Sequence, residues 1–214
     1  MNKFLNEKYS ALADALRKNI KHIIENQKID FTIMEQEFSK QGYRDNQSSG
    51  VEKILIFRVD HMGDFILSTP AIREIRANYP SAFITLVVNK AVYSMAELCP
   101  YVNEVIPMDV EYSKMALRNN IMEMLLTAAE FSAQYLWKRK FNMCICLRHG
   151  INFLDIFLNY LSGAKERIGH VWNQLLPYNL DPQNQHNDVT YQFLTLPVIH
   201  PKEVIHTCAK NLYI

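Results

Sequence analysis

The sequence predicts an α/β fold, a parallel sheet with flanking helices, on three observations. From Val51 onward, short apolar runs alternate with segments of helical period, the pattern of βαβ units. The first run, Ile54-Leu55-Ile56-Phe57, is continuously apolar, as expected of a strand buried on both faces of a parallel sheet. It ends in a polar loop, Asp60-His61-Met62-Gly63-Asp64, and a new apolar segment starts at once. Loops at the carboxyl ends of strands are where open α/β sheets bind ligands. Asp64 therefore lies at the mouth of an expected site, beside a glycine, Gly63, that lets the backbone turn closely.

The elements follow in order. Residues 1–49 form an expected helical extension and linker, in which Leu5, Tyr9, Leu12, Leu16, Ile20 and Ile23 recur at three- and four-residue spacing. Charges of both signs are interspersed along it, which favours packing on the main domain or pairing with a second copy over lying on a membrane. The main domain spans 50–214. A first strand at 53–59 leads into a helix at 64–78, where Thr69-Pro70 predicts a kink or a fresh start capped by Ser68 or Thr69. Strands are predicted at 83–88, 104–107, 142–147 and 167–171. Helices are predicted at 90–98, 111–138 and 152–162. Residues 172–188 read as loop, and Pro201 opens an expected last helix with Val204, Ile205, Ala209 and Leu212 on one face.

Composition excludes several classes. The chain of 214 residues is 49% hydrophobic and 21% charged with net charge +1, unlike a strongly nucleic-acid-binding or disordered protein. No apolar run approaches the roughly 20 residues that span a bilayer, and the N-terminus lacks the pattern of a secretory signal. Cys144 and Cys146 lie two apart within an apolar run, a spacing that suits small core residues of one strand. No Cys or His pairs have zinc-ligand spacing. A reduced, cytoplasmic protein without a metal is the expectation.

The usual site motifs are missing. There is no G-x-G-x-x-G, no G-x-x-x-x-G-K-[ST], no G-x-S-x-G and no H-E-x-x-H. Asp64 has two readings: a first-turn carboxylate that complements the helix dipole, or a general base that takes a proton from an attacking hydroxyl. Arg148 and His149 follow a buried strand directly and lie on the same sheet edge, where a cation could meet a phosphate or carboxylate. Arg58, at the end of the first strand, could reach the same mouth. Asp60 and His61 read first as loop polar residues, with substrate contact as the second reading. Lys165 and Arg167 read as structural.

The run ILIFRVDHMGDFILSTPAIREIRANYPSAFITLVVN, then PYVNEVIPMD, then CLRHG and YLSGAKERIGH, resembles the N-terminal half of glycosyltransferase family 9, the heptosyltransferases of the lipopolysaccharide inner core. The resemblance covers about Lys53 to Arg167 and the expected last helix. It implies a Rossmann-like, acceptor-side domain of a GT-B fold. The acceptor, a glycolipid or oligosaccharide, would bind here, and a nucleotide sugar such as ADP-heptose would bind a second, C-terminal domain. It also implies that Asp64, after Gly63, is the catalytic base of an inverting transfer, with Thr69-Pro70 matching the family's Thr-Pro. Acceptor contacts would come from Arg58, His61, Gly63, Arg148 and His149, with no cofactor or metal on this domain.

In one place the sequence departs from the family. Cys146 stands where an acidic residue commonly precedes the strand-end arginine. The donor domain is also expected to be absent from this chain, leaving it inactive alone. The location implied is the cytoplasm, including the inner face of the cytoplasmic membrane. The rival reading is a non-catalytic binding or assembly module that keeps the acceptor-side fold.

Overall fold

A computed structural model describes residues 51–109, 127–148, 153–170, 193–198 and 207–212. Six strands form one all-parallel sheet in the order β3-β2-β1-β4-β5-β6. They are β1 (Lys53–Arg58), β2 (Phe83–Asn89), β3 (Glu104–Met108), β4 (Met143–Cys146), β5 (Glu166–His170) and β6 (Leu196–Val198). The helical elements are α1 (Met62–Asn78), a 3-10 turn (Lys90–Val92) leading into α2 (Tyr93–Ala96), α3 (127–139), α4 (Phe153–Leu161) and α5 (Thr207–Asn211). The predicted α/β class holds, and so does the order of the predicted elements where they are described; β6 is not among the predicted strands. The N-terminal extension, residues 111–126, the 172–188 loop, and Val204 and Ile205 of the last helix lie outside the described residues.

Strand β1 is central because it can be: five of its six residues are buried. Its side chains alternate between two cores. Ile54 and Ile56 pack with Phe65, Ile72 and Ile75 of α1. Leu55 and Phe57 pack on the opposite face with Leu136, Trp137, Phe157 and Leu161 of α3 and α4. A sheet covered on both faces requires such runs, which is why the strands were legible. β1 pairs with β2 from Lys53↔Phe83 and with β4 from Ile54↔Met143. The chain thus moves out to β3, returns to the centre and continues to β6, so strand order reverses between β1 and β4.

Of the two expectations at Pro70, a kink or a fresh start, the fresh start does not occur. Helix α1 runs unbroken for 17 residues with the proline inside. Proline has no N–H to give to the Ile66 carbonyl four residues back. The Thr69 hydroxyl donates to that carbonyl instead, at 2.8 Å, and Ser68 Oγ donates to the Asp64 carbonyl at 2.8 Å. Ser68 and Thr69 therefore support the helix interior and cap nothing. Two elements have no sequence signal of their own. The middle of α3 includes a π-helical turn (Ser132–Leu136), and β6 is an edge strand of three residues containing Pro197, a residue tolerated at sheet edges. Helix α4 stops where Gly163 takes a left-handed conformation (φ 74°), a backbone state that favours glycine.

The amino ends of the strands are tied by Asn142, whose side-chain oxygen accepts from Glu52 N at 3.1 Å and Lys53 N at 2.9 Å. Its backbone N–H donates to Lys53 O, and its carbonyl accepts from Glu166 N. Asn142→Ala, which leaves both N–H groups without the acceptor, should lower the unfolding free energy by about 1–2 kcal/mol. Asn142→Asp, which keeps the acceptor, should cost less. Urea denaturation of the two variants checks the order.

Candidate active site

The site is built at the carboxyl ends of β1 and β4, where the strand order reverses. Crevices of open α/β sheets lie at such points. Arg58, the last residue of β1, is 1% exposed. Its Nε donates to the Asp64 carbonyl at 3.1 Å, and Nη1 donates to the Leu147 carbonyl at 2.8 Å. The same guanidinium lies 3.2 Å from Asp60 Oδ1 and 3.5 Å from Asp64 Oδ1. Arg148, just after β4, extends the series. Its Nη1 donates to Asp155 Oδ2 at 3.1 Å, and its Nε is 4.0 Å from Asp60 Oδ2.

The result is a ladder of alternating charge, Asp64–Arg58–Asp60–Arg148–Asp155. Exposure is graded along it. The Asp64 side chain is 34% exposed and that of Arg148 is 29% exposed, while the Asp155 side chain is only 2% exposed. Burial raises the Asp60 carboxyl above the ordinary aspartate range, against the lowering pull of Arg58. Burial also pushes Asp155 up to about 6, opposed by Arg148 and reinforced by the Asp60 charge. Helix α4 begins at Phe153, so Asp155 lies in its first turn, where the dipole favours a negative charge.

Of the residues singled out in the sequence, Arg58, Asp64 and Arg148 come together here. Asp64 is the third residue of α1 and His61 is its N-cap residue; the His61 side chain makes no capping bond. His61 and Gly63 are exposed beside Asp64. Arg58 is buried, and its guanidinium faces two carboxylates and two carbonyls, so its contacts here are within the protein. One expectation changes. Gly63 is not needed for a close turn: it has no positive φ, and a Cβ built on it would meet nothing within 4 Å. What Gly63 supplies is an open surface next to Asp64. His149 lies outside the described residues.

Two members of the ladder escaped the sequence reading. Asp60 is a buried ion-pair partner, although its place in a polar loop suggested a solvated residue. Asp155 sits in the apolar segment FLDIFLNYL, and only its place in a helix's first turn marked it. Cys146, at the position where the resemblance implies an acid, is a buried free thiol held up at about 12 by burial, with the Asp155 charge adding to the effect. The carboxylate beside Arg148 comes from α4 instead. Arg167 is structural as expected: buried, it donates to Phe193 O and Ala164 O and lies over the Tyr160 ring.

Among the described residues no group of three or more His, Cys, Asp or Glu is arranged to hold a metal. No helix among them is long and apolar enough to cross a membrane. A cavity of about 250 Å³ lies elsewhere, between the carboxyl end of α1 (Glu74, Asn78), the first half of β4 (Met143, Ile145) and Leu212.

Comparison with solved structures decides the fold. A glycosyltransferase family 9 protein of Veillonella parvula superposes with a TM-score of 0.54 at 20% identity, over 75% of this chain and 39% of that one. The ADP-heptose lps heptosyltransferase II of E. coli gives 0.51 at 19% identity, over 76% and 40%. E. coli heptosyltransferase WaaC, solved with ADP-2-deoxy-2-fluoro heptose, gives 0.54 at 16% identity, over 75% and 46%. The chain shares the Rossmann-like fold of these GT-B glycosyltransferases. A Haemophilus influenzae protein with the provisional name of a glycosyltransferase is 39% identical over 56 residues, which are 26% of this chain and 16% of that protein. No family model matches the sequence. The chain thus spans less than half the length of each of these relatives.

The raised Asp155 value has a definite consequence for stability. A carboxyl with a folded-state value of about 6 and an ordinary unfolded value binds its proton more tightly when folded. Its contribution is most favourable below about pH 4 and is lost as pH rises through about 6. Asp155→Asn removes that loss. The stability of the variant relative to wild type should therefore improve by about 2–3 kcal/mol between pH 4 and pH 7.5. Urea titrations at the two pH values measure it; a pH-independent difference would contradict an ionising, buried Asp155.

Proposed function

We propose that this chain is the acceptor-side half of an inverting glycosyltransferase of the heptosyltransferase type. The observation that carries the reading is the Asp64 carboxylate. It stands partly exposed at the point where strand order reverses, with Arg58 behind it and open surface over Gly63 in front. An acceptor hydroxyl placed there would hydrogen-bond to Asp64. As its oxygen attacks the anomeric carbon of the donor sugar, the O–H proton passes to the carboxylate. The bond from that carbon to the nucleoside diphosphate breaks, the diphosphate leaves with the electron pair, and the configuration at carbon inverts.

The remaining roles follow from position. Arg58 holds Asp64 in place through its carbonyl and its carboxylate. Arg148 offers a partly exposed cation to an anionic group on the acceptor, with His61 on the near rim; His149 joins them on its place in the sequence alone. The donor, for which ADP-heptose is the proposal, belongs to a second Rossmann-like domain facing this one. A glycolipid acceptor of the lipopolysaccharide core would bring the enzyme to the inner face of the cytoplasmic membrane. Likeness in fold to the two E. coli heptosyltransferases supports this choice of substrates.

The test is sugar transfer from ADP-heptose to a lipopolysaccharide-core acceptor by the chain supplied with a donor-binding domain. Asp64→Ala should lower kcat by about a hundredfold or more, the scale of a lost general base. The KM for acceptor should rise by a smaller factor, the scale of the one hydrogen bond lost from the bound acceptor. Transfer at the wild-type rate would remove Asp64 from the mechanism. Acceptor binding without transfer under any donor pairing would favour the binding-module reading.

A further inference from the structure

Asp155 has no part in the proton transfer just described, yet burying it is costly and its geometry is specific. It is fixed in the first turn of α4, and its Oδ2 accepts from Arg148 Nη1 at 3.1 Å. The charged and titratable groups that act on it come from β1 and its loop (Arg58, Asp60) and from β4 and its end (Cys146, Arg148). Among the described residues a second carboxylate lies near Arg148, that of Asp60, with 4.0 Å between Nε and Oδ2. Asp60 already faces Arg58 at 3.2 Å.

We propose that Asp155 is a positioning residue: from beneath the site it anchors Arg148 through one amino group and so keeps the cation turned towards an anionic group of the acceptor. The inference rests on the reading of Arg148 as an acceptor contact. Its physical basis is competition between two carboxylates. With the Asp155 anchor in place, Arg148 is held between α4 and the loop after β1. Without it, the guanidinium can close the remaining gap and pair with Asp60, deeper in the ladder. Near pH 7, where Asp155 is ionised, leaving that buried carboxylate uncompensated is expensive, so it does not release Arg148 in the wild-type protein. At that pH a ligand meets a cation already in place.

Sulfate, a dianion across the working pH range, serves as the probe, with binding to the full chain measured by titration calorimetry near pH 7. Arg148→Gln should weaken sulfate binding by about tenfold, the scale of one charge-assisted hydrogen bond. Asp155→Ala should weaken it to a similar degree, because Arg148 retreats onto Asp60. Asp155→Asn, which retains an acceptor oxygen for Nη1, should rescue binding to the wild-type level or tighter. A thermal melt of each variant confirms that folded protein is compared.

The outcomes separate cleanly. Sulfate binding unchanged in Arg148→Gln overturns the acceptor-contact reading and this inference with it. Weakening in Arg148→Gln but not in Asp155→Ala overturns the anchoring role alone. Tighter binding in both Asp155 variants would make Asp155 a mere counter-charge and also overturns it. Loss in Asp155→Ala with rescue in Asp155→Asn establishes the anchor.

Discussion

The Arg58 guanidinium is the constraint on which the site and the centre of the sheet both depend. A cation almost fully removed from water must be surrounded by acceptors, and Arg58 finds them on three elements. The Asp64 carbonyl belongs to the first turn of α1, the Leu147 carbonyl follows β4, and Asp60 lies in the loop between β1 and α1. One side chain therefore fixes how α1 leaves the sheet and where β4 ends. Removing it would leave Asp60 as a buried carboxylate with its main counter-charge gone, a change typically worth about 3–5 kcal/mol. The same contacts hold Asp64 at the rim. Fold and candidate chemistry share this clasp, so a disturbance of one is a disturbance of the other.

Much of this was legible in the sequence, for a physical reason. Strands buried on both faces must be continuously apolar, so β1, β2 and β4 declared themselves, and the loop after β1 followed. Arg148 could be placed at the carboxyl end of its strand, on the same edge as Asp64. That β4 lies directly beside β1 depends on pairing across 89 residues of chain, which local pattern does not encode. Asp155 was illegible because a single acid within FLDIFLNYL reads as the solvated side of a helix until the helix is packed. The expected fresh helix start at Pro70 failed for a local reason: Thr69 supplies the donor that proline lacks, and the side chains of Ile72 and Ile75 keep the helix on the sheet. Gly63 misled in the opposite direction. Its position after a strand suggested a turn, whereas it lies in ordinary helical backbone with open space around it.

The ladder also explains how an apolar domain tolerates five charges at its centre. Each buried carboxylate has a guanidinium beside it, and each guanidinium has two carboxylates within 4.0 Å. The strain that remains shows in Asp155 and Asp60, both held above the ordinary aspartate range by burial. Two apolar cores, one on each face of the sheet, offset that cost. The ends of the arrangement differ in exposure: Asp64 opens to solvent, while Asp155 is closed in.

Charge balance on this edge bears on what kind of substrate the sheet can serve. Within the ladder, three carboxylates face two guanidiniums, an excess of one negative charge when all are ionised. A nucleoside diphosphate brought against Asp64 would meet that excess directly, and no glycine-rich loop follows β1 to supply backbone donors for its phosphates. A neutral hydroxyl meets no such penalty; it gains a hydrogen bond to Asp64, and a separate anionic group can lie against Arg148. One sheet of this kind has one crevice at its carboxyl edge, and transfer between two substrates requires both to be held in one geometry. On the function proposed above, such an edge would suit the acceptor, and the donor's charge would be met by groups outside this ladder.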